Sequence, residues 1–399
     1  MIDTALPAVH RSGWRPVALL SLGTLLSCIC VYIYLPILPA YALSMGASLS
    51  LIGVISGAYG LSQFVLRIPA GLLSDRMQKR KLFVVGGAVC GILSCIGLGI
   101  SSDPRTFVVW RCLAGIAVTT HVASTALYAA QFDDKHSSRA MGFYMATVTF
   151  AIAIGPLIGG WAAAEMGWRA PFFLGAAFGV ISLLPLGAVR DTENVPVAFE
   201  IPLRTRLADL LRRPPVLHAT ALGAVTAFAQ FATTITFVPI RAVDLGADQV
   251  QLGLLLFVTM GTFSVVSLVS GNILAVRLGN QRMLILGLLL LTVTVLALPL
   301  IHNLLLLAVV QCVGSIGRGM YMPLVFSRSL GASSPSEHAA ASGVVMTGVS
   351  FGVFVGPILT GLLADNFGLD WAFVCVGLVC AIATTVAIRQ GRPSPFVAM

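Results

Sequence analysis

The chain has 399 residues, of which 57% are hydrophobic and only 10% charged; that is too little polar surface to coat a soluble globule, so a water-soluble domain is excluded and lipid must solvate it. The net charge of +9 is not a nucleic-acid footprint, because the Lys and Arg residues gather in alternate loops, around Arg11, Lys79, Arg139, Arg206, Arg282, Arg328 and Arg389. That is the positive-inside asymmetry of a polytopic membrane protein, and it accounts for the charge without an acidic partner.

An apolar helix crosses the ~30 Å hydrocarbon core with about 20 residues. The sequence holds twelve such runs, near 17–40, 50–73, 82–101, 106–130, 141–163, 170–189, 215–238, 250–274, 283–301, 304–328, 338–362 and 371–388. They are long and apolar on all sides, which predicts an all-α membrane protein and no barrel. Arg11 and Arg15 precede a first run longer than a signal core, so that run is expected to stay as an uncleaved span. Both termini are then expected in the cytoplasm, with the protein in the cell inner membrane.

In chain order, the first run carries Tyr32 and Tyr34 beside Pro36 and Pro39, so its outer half is predicted to bend. The second carries Gln63 and Arg67 and closes on Gly71, Asp75, Arg76, Lys79 and Arg80. There Gly71 allows close helix approach, Asp75 can face a helix N-terminus or a cation, and the basic residues anchor the inner surface. The fourth run holds Arg111 and His121, and the fifth holds Gly155, Pro156, Gly159 and Gly160. A segment from 190 to 214, with Pro196, Pro202, Pro214 and mixed charge, reads as a cytoplasmic linker. Beyond it the seventh run carries Gln230 and Thr233, the tenth Gln311 and Arg318, and the eleventh Gly356, Pro357 and Gly361.

The two sides of the linker repeat each other. Gly142, Met145, Phe150, Gly155-Pro156, Gly160, Gly167 and Phe172 recur 201 residues later as Gly343, Met346, Phe351, Gly356-Pro357, Gly361, Gly368 and Phe373, and Gly53 and Gly71 recur at an offset of 200 as Gly253 and Gly271. The chain therefore divides into a six-helix half at 1–189, the linker at 190–214 and a second six-helix half at 215–399. Internal duplication of this kind marks secondary transporters, whose halves rock about a site between them.

Residues 71–81, Gly-Leu-Leu-Ser-Asp-Arg-Met-Gln-Lys-Arg-Lys, resemble the loop signature between spans two and three of the major facilitator superfamily, with Gln78 where the family has a glycine and Ala275 where the second copy would carry an acid. The resemblance implies a fold of twelve transmembrane helices in two pseudo-symmetric six-helix halves, and makes Asp75 and Arg76 part of a cytoplasmic latch holding the outward-facing state. Trp110-Arg111-Cys112-Leu113-Ala114-Gly115 is similar to a span-four pattern of proton-coupled members; the alternative is that Arg111 snorkels to the outer edge. Ala151 to Gly160 resembles the Gly-Pro-x-x-Gly-Gly signature of exporters in the drug/proton antiporter branch, with Ala151 in place of the first glycine. Its small residues are expected to let spans five and eight pack closely.

All fifteen acids fall at span ends or in loops, whereas Arg67, Arg111 and Arg318 lie within the runs. An ionised residue at such depth needs a wet cavity or a partner and is a functional candidate by default. His121 is the only histidine well inside a run and titrates in the physiological range, so it is a candidate proton carrier. Tyr32, Tyr34, Gln63, Gln230, Thr233 and Gln311 supply further donors and acceptors for a solute. Each of these can equally serve structure, as a hydrogen-bonded packing residue or a side chain reaching the headgroups. The eight cysteines show no metal spacing, and no nucleotide loop, His-Glu-x-x-His or Gly-x-Ser-x-Gly is present, so no metal, cofactor or enzyme activity is expected. The expected function is proton-coupled efflux of a small organic solute by a monomer in the lipid bilayer. The alternatives are an organic-anion permease built on the arginines and a membrane sensor.

Overall fold

The computed structural model describes residues 14–77, 79–129, 137–189, 209–331, 333 and 337–390. Most of the linker, Gln78 and Lys135 lie outside them. The described residues form helices and turns with no strand. Twelve spans are long and apolar enough to cross a bilayer: Arg15–Ser44, Leu49–Gly71, Arg80–Ile100, Pro104–Tyr128, Gly142–Met166, Ala170–Ala188, Pro214–Asp244, Gln249–Val269, Asn280–Leu300, Leu304–Gly331, Ala340–Phe367 and Leu369–Arg389. They are called spans 1 to 12 below. The end of the bundle that carries Met45, Asp103 and Asp248 is called distal, and the end at which span 1 begins and span 12 finishes is called proximal.

The duplication is a physical repeat. Gly46 and Gly246, 200 residues apart, turn the chain after spans 1 and 7 with φ of 84° and 85°, a left-handed conformation that glycine adopts without steric cost. Spans 1 and 7 are both broken near their distal ends. Span 1 is helical over Trp14–Tyr32, turns at residues 33–36 and resumes as Ile37–Ser44. Span 7 passes from Pro214–Gln230 through a π-helical stretch, Phe231–Phe237, into Val238–Asp244. Prolines 36, 39 and 239 explain the interruptions, since each lacks an amide donor and crowds the preceding turn.

The short distal pieces are then pinned sideways in the same way in each half. Arg169 at the start of span 6 donates to the Tyr41 hydroxyl at 3.0 Å. In the second half Arg241 stands 3.8 Å from Asp370 at the start of span 12 and donates to the Ile301 carbonyl at 3.2 Å. Tyr41 and Arg241 are 200 residues apart, Arg169 and Asp370 are 201 apart, and the cation has changed sides.

The halves meet along two seams made of glycine. On spans 2 and 11, Gly53 lies against Pro357 and Gly361, and Gly57 and Gly60 lie against Phe354. On spans 5 and 8, a Cβ added to Gly253 would stand 2.5 Å from the Pro156 carbonyl oxygen and 3.0 Å from the Gly160 Cα. Both seams lie towards the distal end. Near mid-bundle the Tyr59 and Phe231 rings stack at 6.0 Å, and Phe64 meets Phe351 at 5.5 Å. Towards the proximal end Gly142, Gly271 and Gly343 have nothing within 4 Å of a Cβ built on them. The glycine contacts described between the halves thus lie in the distal part and the middle of the bundle.

Candidate functional site

The polar groups of the first half converge below the break in span 1. Arg67 Nη2 donates to Gln63 Oε1 at 2.6 Å, one helical turn back, and Gln63 Nε2 donates to the Tyr59 carbonyl at 3.3 Å. The i, i+4 spacing places Tyr59, Gln63 and Arg67 on one face of span 2. Opposite them, span 4 is interrupted at Thr120, between helices Phe107–Thr119 and His121–Ala129. The hydroxyls of Thr119 and Thr120 bond back to the carbonyls of Gly115 and Ala117 at 2.8 and 2.7 Å, competing with the helix ladder just before His121. His121 Nε2 faces Cys28 Sγ at 3.8 Å, and its carbonyl accepts from the Tyr144 hydroxyl at 3.4 Å. Tyr32, Tyr59 and Tyr144 lie within electrostatic range of Arg67. The cluster thus takes walls from spans 1, 2, 4 and 5.

Arg111 does not snorkel. It is 1% exposed, its Nη1 donates to the Tyr34 hydroxyl at 3.4 Å, and its guanidinium carbon lies 4.5 Å from the Tyr59 ring centroid and 5.8 Å from that of Tyr34. A cation over a ring face is attracted by its quadrupole, worth about 2 kcal/mol or more when desolvated, and this outweighs the pull of the nearby headgroups. The same link recurs in the second half without charge: Thr234 Oγ1 donates to Gln311 Oε1 at 3.0 Å, and the two pairs are offset by 200 residues at both positions. In each half, therefore, the fourth helix ties down the break in the first.

Arg318 is 6% exposed and sits between soft and aromatic partners, with Nη2 3.5 Å from Met260 Sδ and its guanidinium carbon 4.6 Å above the Phe263 ring. Beside it a cavity of about 20 Å³ is lined by Gln230, Thr233, Thr234, Gln311 and Ser315. Thr233 spends its hydroxyl proton on the Ala229 carbonyl at 2.7 Å. The Nε atoms of Arg67, Arg111 and Arg318 are all buried without a partner. Among the described residues no carboxylate is paired with any of the three; Arg213 pairs with Glu337 at 2.9 Å and Arg241 with Asp370 at 3.8 Å, away from them.

The structure thus brings Tyr32, Gln63, Arg67 and His121 into one cluster and Gln230, Thr233, Gln311 and Arg318 into another, while Tyr34 belongs with Arg111. Tyr59, Tyr144, Met260 and Phe263 were not singled out in the sequence. The repeat offset carries a signal for one of them, since Phe263 stands 200 residues after Gln63. Of the loop motif, Arg76 and Lys79 are exposed, Arg80 donates to the Ala126 carbonyl at 3.4 Å, and the Asp75 side chain lies outside the described residues. The glycines of span 5 divide their work. Gly155 and Gly159 receive span 1 at Ile33, and Gly160 alone of these receives span 8. Gly356 receives span 7 at Phe228, and Gly361 receives span 2. No cluster of His, Cys, Asp or Glu among the described residues could hold a metal ion.

The model of the Major Facilitator Superfamily matches residues 20–274 and 220–396, and the chain belongs to that family. Multidrug resistance protein 2 of Bacillus subtilis is 22% identical over 356 residues, covering 87% of this chain and 88% of that protein. Quinolone resistance protein NorA of Staphylococcus aureus is 22% identical over 364 residues, covering 89% and 92%. Among solved structures, a bacterial homologue of the human lysosomal transporter Spinster, in an inward-facing and unoccupied conformation, superposes with a TM-score of 0.77 at 17% identity, over 96% of this chain and 99% of that one, a likeness of fold.

Proposed function

We propose that this member of the Major Facilitator Superfamily, a secondary transporter of small-molecule solutes, exports a neutral or anionic organic solute from the cytoplasm by alternating access, coupled to protons. The observation that carries the solute class is the charge of the interior: Arg111 and Arg318 are buried and Arg67 is half-buried, with no carboxylate among the described residues near them. A permanent cation entering this region would meet like charge in a medium of low dielectric. An anionic group would gain charge-assisted hydrogen bonds there. Export is supported by the resistance proteins that the chain resembles along most of its length.

With both termini in the cytoplasm, the closed distal end is the outer one, and the conformation described is inward-facing. The solute enters between the parted proximal ends and reaches Arg67, Gln63 and Tyr32 on one side and the Arg318 cluster on the other. Parting of the two glycine seams then exposes it to the outside. His121 is the site proposed for the proton, since no acid lies in the interior among the described residues.

A second reading, organic-anion uptake with a proton, is favoured by one observation: His121 lies within electrostatic range of Arg67, so protonation adds charge near the group that would hold the anion. Proton and anion would then reinforce each other instead of competing. Proteoliposomes with an imposed pH gradient separate the readings, using a panel of aromatic carboxylates, neutral aromatics and quaternary ammonium compounds. Export predicts that neutral or anionic compounds move against the proton gradient. Movement with the gradient establishes uptake, and preference for the quaternary compounds overturns the solute class in both.

A further inference from the structure

The two glycine seams are not equally fastened. At the distal end of span 2 the first turn of the helix leaves backbone N–H groups that no preceding turn can satisfy. Ser48 takes one of these in its own half, its hydroxyl accepting from Leu51 N at 3.1 Å. The two before it go across the seam. Asp365, in the last turn of span 11, accepts from Leu49 N through Oδ1 and from Ser50 N through Oδ2, each at 2.9 Å. One carboxylate of the second half thereby caps a helix of the first. The contact is bidentate and charge-assisted, and it places a negative charge at the positive end of the helix dipole.

The repeat supplies an internal control. Span 8 is the counterpart of span 2, and its capping box is made within its own half: Asp248 Oδ1 accepts from Gln251 N at 2.8 Å, and Gln251 Oε1 accepts from Asp248 N at 3.0 Å. The residue matching Asp365 at an offset of 201 is Ala164, which has no acceptor to offer span 8. The 5–8 seam therefore rests on the glycine contact, whereas the 2–11 seam has the glycine contact and a clasp. When the distal ends part, Asp365 must release both amides, so its bonds exist on one side of the transport cycle only.

We propose that Asp365 is a gating residue: it clasps span 2 to span 11, holds the distal end shut and makes this seam the last to open. A ligand that stabilises one of two conformers shifts their ratio by its differential interaction, and an internal contact made in one conformer acts in the same way. The loss of two charge-assisted bonds, partly replaced by water, shifts the ratio of closed to parted distal ends by about tenfold.

Hydrogen–deuterium exchange on the purified full chain in lipid nanodiscs tests this. Asp365→Asn and Asp365→Ala are expected to speed exchange at Leu49 and Ser50, and also in the distal turns of spans 5 and 8, which Asp365 does not touch, while slowing exchange at the proximal ends. Asn366→Ala is the control, because the Asn366 amide bonds the Leu362 carbonyl of its own helix at 2.8 Å. Ser50→Pro, which removes the Ser50 amide donor and the hydroxyl that donates to the Gly361 carbonyl at 3.4 Å but keeps the carboxylate and its bond to Leu49 N, is expected to act in the same direction and more weakly. Proline is tolerated in the first turn. If deprotection in the Asp365 variants stays confined to Leu49 and Ser50, the residue is a local cap and the gating role is overturned.

Discussion

Substituting Gly253 by alanine tests the seam directly. The added Cβ would lie 2.5 Å from the Pro156 carbonyl oxygen, 3.0 Å from the Gly160 Cα and 3.2 Å from the Gly160 amide nitrogen. All three are backbone atoms, so no rotamer change relieves them and spans 5 and 8 must separate. Overpacking of this kind costs about 1–3 kcal/mol. Alanine also favours the helix by about 0.8–1.0 kcal/mol over glycine, but it does so whether the distal end is closed or parted, so that gain cancels in the ratio of states. The remaining bias is about 5- to 150-fold against the closed distal end.

The repeat makes the complementary case at the proximal end. Gly53 meets Gly361 and Gly160 meets Gly253 in this state, whereas Gly271, Gly142 and Gly343 face open space. Rocking that closes the proximal end by the same pseudo-symmetry would bring Gly71 to Gly343 and Gly142 to Gly271. Gly271→Ala is then expected to act oppositely to Gly253→Ala. Spin labels at Ser102 and His302, both exposed at the distal end and 200 residues apart, report the opening by electron–electron double resonance. Gly253→Ala should populate longer distances and Gly271→Ala shorter ones. Two variants that move the distribution the same way would refute the reasoning.

Arg67→Gln and Arg318→Gln are each expected to weaken binding of an anionic solute by roughly one to two powers of ten, the scale of one charge-assisted bond, measured by equilibrium binding to purified protein. Arg111→Gln, which removes the cation from between the Tyr34 and Tyr59 rings, should lower thermal stability more than it lowers affinity, and comparing melting with binding separates the two. His121→Asn should flatten the dependence of transport on pH, since it removes the one histidine well inside a span; an unchanged profile places the coupling proton elsewhere. Membrane-impermeant labelling should reach a cysteine introduced at Met45 from outside and one at Arg282 only from inside, and equal access would overturn the cytoplasmic assignment of the termini.

The spans were legible because lipid imposes a length and a composition that each helix must meet by itself. Duplication was legible because glycines at close approaches and positive φ tolerate no substitute, which is why Gly46 and Gly246, or Gly160 and Gly361, survive in both copies. The direction of a side chain within a span was not. An apolar helix in lipid has no polar face to mark its orientation, so the sequence left Arg111 suspended between the headgroups and the interior until the Tyr34 and Tyr59 rings were seen around it. Partners across the seams were equally hidden, since Asp365 reads as an ordinary residue at a span end and acquires its role only from amides more than 300 residues away.

What separates the halves is therefore the polar chemistry carried at matched positions, and this bears on how the site became one-sided. Arg111 and Tyr34 in the first half answer to Gln311 and Thr234 in the second, with the hydrogen bond between the two helices kept and the charge absent. Gln63, which steadies Arg67, answers to Phe263, which instead covers Arg318. A structural hydrogen bond tolerates such exchange because it needs only a donor and an acceptor at one distance. The backbone contacts of the seams tolerate none. Two halves with the same seams can thus rock about a shared axis while presenting different walls to whatever lies between them, and an asymmetric solute can be gripped by a symmetric machine.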